Sequence, residues 1–197
     1  MNRRSFFSVL GCAVAVAIAG TPEAHASWFS ERTAKKKNSA ARKSAYKGRE
    51  KVAFQSAEKP GTIVIKTNER ALYQVLGDGQ AMRYSVAVGK QGFSWSGTAR
   101  VGMKREWPIW TPPTEMIERK PEYAKWVDGM PGGPQNPLGA RALYLFNKSG
   151  DTGFRIHGTN SPSSIGTAAS SGCIRMLNRE VTELYGKVKL GTKVIVR

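Results

Sequence analysis

The sequence predicts a β-rich α+β domain, a mixed, sandwich-like β-fold with short helices. Three observations carry that expectation. Some stretches alternate with period two, as Met82, Tyr84, Val86 and Val88 do against Ala81, Arg83, Ser85 and Ala87. Arg141 to Asn147, RALYLFN, is apolar on both alternating faces, the mark of a strand covered on both sides. Helical spacing of apolar residues is sustained only near the C-terminus.

Taken in order from Pro60, Gly61 to Thr67 and Arg70 to Leu76 read as strands rich in Ile, Val, Leu and Tyr. Gly77-Asp78-Gly79 supplies the positive-φ positions of a tight hairpin, and Gln80 to Val88 is the return strand. Gly89 to Gly97 is a Gly/Ser-rich loop leading into a short strand, Thr98 to Met103. Prolines make Glu106 to Pro113 extended and turn-rich, and Thr114 to Lys120 makes a short helix that Pro121 interrupts. Trp107, Trp110, Tyr123 and Trp126 concentrate here, and aromatics on such a connection are more often a minor core beneath a loop than the lining of a cleft. Gly129 to Gly139 is a shaped loop, Lys148 to Asp151 a turn, and Phe154 to His157 a short strand that Gly158 ends. A Ser/Thr/Gly/Ala-rich loop runs from there to Cys173. Asn178 then N-caps a helix carrying Val181, Leu184, Tyr185 and Val188, with Lys187 and Lys189 at its C-terminal end, and Val194 to Val196 is the last strand.

Ahead of this domain, residues 1–26 have the three parts of a signal peptide: Arg3 and Arg4, an apolar run from Phe6 to Ala19 too short to span a membrane comfortably, and Ala24-His25-Ala26 as a small-x-small cleavage site. The paired arginines also resemble a twin-arginine signal, and Val9 to Cys12 only faintly resembles a lipoprotein box. Cleavage before Ser27 removes Arg3, Arg4 and Glu23, taking the formal charge from +17 to +16. Residues 27–59 hold ten Lys or Arg against Glu31, Glu50 and Glu58, a net +7, with few large apolar residues. Such a segment reads as a disordered basic linker, either a solvated spacer or a tether drawn to an anionic surface outside the cytoplasm. Nucleic acid is not an expected partner of an exported protein lacking an aromatic-basic groove motif.

Both His25 and Cys12 leave with the signal peptide, so the mature chain keeps one histidine, His157, and one cysteine, Cys173. One thiol makes no internal disulfide, and a base beside a soft nucleophile is the minimum equipment for thiol acyl transfer. An adjacent imidazole is the simplest way to lower a thiol pKa and later protonate a leaving amine. Gly172 allows a bend that aims the amides of Gly172 and Cys173 at a developing oxyanion, Gly158 shapes the chain after the histidine, and Ser170 and Ser171 leave room for substrate. Arg175, two residues past Cys173, shares its face on an extended segment and can grip a carboxylate. Singly, such a cysteine is more often a buried hydrophobe, such a histidine a structural group, and Arg175 an ion-pair partner for Glu180 or Glu183. Together the three favour chemistry.

His157-Gly158 followed by Ser170-Ser171-Gly172-Cys173-Ile174-Arg175-Met176 resembles the signature of the L,D-transpeptidase catalytic domain, the YkuD family. Trp110-Thr111-Pro112-Pro113, Gly132-Gly133-Pro134, Asn136 to Gly139 and Leu184-Tyr185 resemble it too, so the resemblance covers residues 60–197. Many members have a second histidine where this chain has Ser171, which leaves His157 as the sole base. The resemblance implies a periplasmic cell-wall enzyme, with a catalytic Cys173 that attacks peptidoglycan tetrapeptide stems at the carbonyl before D-Ala. An amine then resolves the thioester, from a neighbouring stem as a 3-3 cross-link or from an envelope protein. The resemblance also implies carbapenem acylation of the cysteine. No cofactor is expected, and one His with one Cys is too few for an N/S-ligated zinc site. Rival readings are an L,D-carboxypeptidase that gives the same thioester to water, and a wall-binding protein with a dead site.

Overall fold

Alternating apolar residues on successive strands bury one face of a curled sheet around the main core. The computed structural model describes residues 48–90 and 95–197. The strands, in chain order, are β1 (Glu50–Ala53), β2 (Ile63–Lys66), β3 (Ala71–Gly77), β4 (Gln80–Ser85), β5 (Val88–Gly89), β6 (Gly97–Glu106), β7 (Arg141–Asn147), β8 (Gly150–His157), β9 (Ala168–Ser170), β10 (Ile174–Arg175) and β11 (Lys193–Val196). Among the described residues the other elements are two helices, α1 (Thr114–Arg119) and α2 (Asn178–Lys187), and two 3-10 turns. Nine strands make one mixed sheet in the order β1-β4-β3-β2-β11-β6-β7-β8-β10, and β5 pairs with β9 as a short parallel ribbon. The sheet nearly closes, because Ala87, just after β4, exchanges both backbone hydrogen bonds with Arg175 of β10, each 2.9 Å. The β-rich α+β expectation holds, with sheet curl supplying the sandwich-like layering.

The enclosed core takes Ile63, Ile65, Leu72, Tyr84, Val101, Leu143, Leu145, Ile156, Ile174, Val194 and, from α2, Val181 and Leu184. Each such side chain contributes roughly 1.5–3 kcal/mol by leaving water. Gly77, Asp78 and Gly79 all adopt positive φ, 97°, 51° and 66°, as the hairpin from β3 to β4 requires.

Several elements differ from the sequence reading. The linker expected to be disordered through Lys59 is ordered from Glu50: β1 pairs antiparallel with β4, Phe54 stacks on Tyr73 with ring centroids 4.5 Å apart, and Glu58 holds Lys193 through both carboxylate oxygens. A composition count misses this because the partners are far away in sequence: a free edge strand and a second apolar patch of Val64, Tyr73, Val75 and Ala81. The expected signal peptide and residues 27–47 of the basic linker lie outside the described residues. β6 and β8 run longer than expected, and each carries a bulge, near Gly102 and between Asp151 and Arg155. A Cβ on Gly102 would come within 2.4 Å of the Phe146 ring, so the glycine is a packing requirement. The C-terminal end of α2 is satisfied by Lys104 of β6, whose Nζ donates to the carbonyls of Tyr185 and Val188 at 2.6 Å, while Lys187 pairs with Glu183. Of the aromatic group, Trp110 packs edge-on against Tyr123 at 5.3 Å and Trp107 stays 46% exposed, so only part of it is a core beneath the loop.

Candidate active site

His157 ends β8 and Cys173 immediately precedes β10, and β8 and β10 pair in parallel with Ile174 opposite Ile156 and Arg175 opposite His157. Ile156 and Ile174 point into the core, so their alternating neighbours Arg155, His157, Cys173 and Arg175 share the other face. Cys173 and His157 are diagonal neighbours there, with Cα atoms roughly 8 Å apart by ideal strand spacing. The structure thus brings together the three residues singled out for chemistry. Backbone bonds fix them closely: Met176 N–H donates to the His157 carbonyl at 2.8 Å, and Arg175 is held on one side by β8 and on the other by Ala87.

The imidazole is buried, 4% exposed, with Nδ1 2.7 Å from the Gly158 carbonyl oxygen. A carbonyl only accepts, so Nδ1 carries the proton and Nε2 is the basic nitrogen. Burial first, then the charge of Arg175, lower the His157 pKa to about 4 against the pull of the Gly158 and Leu138 carbonyls. Burial also raises the thiol of half-buried Cys173 above its ordinary pKa, although the backbone N–H of Arg155 and the charges of Arg155 and Arg175 favour the thiolate. Both directions favour a neutral thiol beside a neutral imidazole over a thiol pKa already lowered by the imidazole. The thiol lies 4.0 Å from the Gly153 carbonyl oxygen.

The residues before the cysteine also differ in role from expectation. Ser170 is buried; its Oγ donates to the Cys173 carbonyl at 2.6 Å and accepts from Gly172 N–H at 3.2 Å. It therefore ties the nucleophile turn rather than leaving space, and it occupies the Gly172 amide that was expected to face an oxyanion. Gly172 still provides the bend, at φ 116°, and Ser171 is the exposed small residue. Arg175 is half-buried with its pKa lowered by burial, and it forms no ion pair among the described residues; Glu183 is engaged by Arg49 and Lys187.

Asn178 does not cap α2 as expected, since Leu177 occupies the cap and Asn178 is the first helical residue. Its Oδ1 accepts from Ala140 N–H at 3.1 Å and Thr159 N–H at 3.0 Å, and its Nδ2 donates to the Thr159 carbonyl at 3.0 Å. A Cβ on Gly158 or Gly139 would sit 2.1 or 2.2 Å from that Oδ1, so Gly158 is required by close packing beside the histidine. Asn136, fully buried, binds the carbonyls of Pro108, Met130 and Pro131 through Nδ2 and shapes the neighbouring loop. Neither asparagine was singled out as a positioning group. A polar residue set among glycines and prolines was the available signal for Asn136.

The L,D-transpeptidase catalytic-domain model of the YkuD family matches residues 60–196. "Probable L,D-transpeptidase YbiS" of Escherichia coli (strain K12) is 31% identical over 139 residues, covering 68% of this chain and 43% of the relative, so the chain spans less than half the length of that protein. A Brucella melitensis crystal structure described as a probable carnitine operon oxidoreductase is 52% identical at a TM-score of 0.53, covering 76% of this chain and 92% of that one. The catalytic domain of the Enterococcus faecium L,D-transpeptidase shares the fold at a TM-score of 0.51 and 20% identity, covering 72% of this chain and all of that one. With a family match across most of its length, and a histidine ending β8 beside a cysteine that immediately precedes the neighbouring β10, the chain belongs to the L,D-transpeptidase catalytic-domain family.

Proposed function

We propose that this protein is a cysteine L,D-transpeptidase that acts on peptidoglycan tetrapeptide stems outside the cytoplasm. The observation that carries the reading is the placement of Cys173, His157 and Arg175 on one face of paired strands, with the Arg155 amide at the sulfur. As the stem carbonyl approaches, the thiol proton passes to His157 Nε2 and sulfur bonds to the acyl carbon. The Cys173 N–H faces the developing oxyanion, since the Gly172 amide is already used. Collapse breaks the C–N bond, and the imidazolium gives its proton to the departing D-Ala amine. An acceptor amine then attacks the thioester, its proton passes to the imidazole and on to sulfur, and the free thiol returns. Arg175 holds a substrate carboxylate during both steps. The basic segment before Glu50 draws the enzyme to anionic envelope polymers.

Purified protein incubated with disaccharide tetrapeptides tests the reading. Expected products are D-Ala and 3-3 linked dimers, or an adduct on an added envelope protein's amine. Tripeptides alone would make it the carboxypeptidase, and no turnover, with binding to sacculi unchanged in Cys173→Ala, would make it a wall-binding protein.

A further inference from the structure

Beside the thiol lies an ion pair that the reaction above does not use. Arg155 and Asp151 flank the bulge of β8, and this is the segment on which the sulfur rests, between the Gly153 carbonyl and the Arg155 amide. The Arg155 guanidinium lies over the Tyr144 ring at 4.2 Å, on the same face of the sheet as Cys173. Its Nη1 donates to Asp151 Oδ1 at 2.7 Å and to the Phe154 carbonyl at 3.0 Å, and its Nη2 donates to Asp151 Oδ2 at 2.7 Å. A guanidinium has five N–H donors, so among the described residues Nε–H and the second Nη2–H have no partner; they lie parallel on one edge, spaced for another carboxylate. Asp151 Oδ1 accepts from Arg155 and from Gly153 N–H at 2.9 Å, while Oδ2 accepts only from Arg155 among the described residues. The pair thus offers one anion-binding edge and one ammonium acceptor side by side.

We propose that Arg155 and Asp151 form a specificity subsite for a zwitterion, the amine- and carboxylate-bearing far end of the diamino acid whose near carbonyl Cys173 attacks. This rests on the stem-peptide reading and sharpens it: the preferred donor carries both groups at that end, as diaminopimelate does, and not an amine alone, as lysine does. Adjacent strands lie roughly 5 Å apart, a span that a diamino acid side chain crosses in a few bonds. A lone carboxylate suits the place less well, because Asp151 stands next to the open edge of Arg155.

The test measures D-Ala release from three otherwise identical tetrapeptide stems, carrying diaminopimelate, its amidated form, or lysine. Wild type should favour the zwitterionic stem by about tenfold or more in kcat/KM, mainly through KM. Asp151→Asn, which keeps the shape and removes the charge, and Arg155→Lys, which keeps the charge and removes the paired edge, should each erase most of that preference; the first is informative even where the second fails to fold. Equal turnover of all three stems by wild type, or a preference unchanged in Asp151→Asn, overturns the subsite alone. Release from none of the stems overturns the reaction itself and the subsite with it.

Discussion

Cys173 rests as a thiol, because the cost of burying a thiolate outweighs the help of the Arg155 amide and two nearby guanidinium groups. His157, with a pKa of about 4, is neutral at physiological pH and ready to accept a proton. In the proposed reaction, activation therefore waits for substrate to bring the reacting groups into line. Alkylation of the free enzyme by iodoacetamide should accordingly remain slow at pH 7 and rise only above the ordinary thiol range near pH 8–9. A rate already at its plateau at pH 7 would show a preformed thiolate-imidazolium pair instead. The pairing of His157 with Cys173 was legible in the sequence at this scale, because scarcity singled out the two residues that β8 and β10 bring together. Their protonation was not legible, since it depends on burial that only the assembled sheet creates.

At the scale of elements, the join between the end of β8, the loop reaching Ala140 and the start of α2 determines where His157 sits. Asn178 makes three hydrogen bonds across that join. Asn178→Ala should cost about 3 kcal/mol of stability through stranded backbone groups, and should lower kcat further than an equally destabilising core substitution does. Thermal melts read beside D-Ala release check this, and equal losses of activity at matched stability would reduce Asn178 to a structural role. Strand periods and the Gly-Asp-Gly hairpin were readable from local pattern, as were the central strand and the C-terminal helix. The extra length of β6 and β8 was not, because bulges at Gly102 and at residues 152–154 interrupt the alternation that marks a strand. Ser170 was misread for a related reason: a small polar residue two positions ahead of a glycine looks like empty space until its hydroxyl is seen closing the turn.

For the whole molecule, the folded unit begins before the boundary that composition suggests. Residues 50–59 add an edge strand and seat Phe54 on Tyr73 over a second apolar patch. A chain starting at Pro60 loses that burial and stacking, about 3 kcal/mol, and should melt roughly 10 °C lower than one starting at Gly48. Differential scanning calorimetry of the two chains decides it, and equal midpoints would mean the segment only decorates the sheet. No helix among the described residues is long and apolar enough to cross a membrane. All of these features serve one claim, that Cys173 is the acylated nucleophile and His157 its base. Intact-protein mass spectrometry after adding a carbapenem tests that claim most directly. A single adduct is expected on wild type, none on Cys173→Ala, and acylation slowed by about a hundredfold or more in His157→Ala; an unmodified wild type, or the same adduct on Cys173→Ala, would remove Cys173 as the nucleophile.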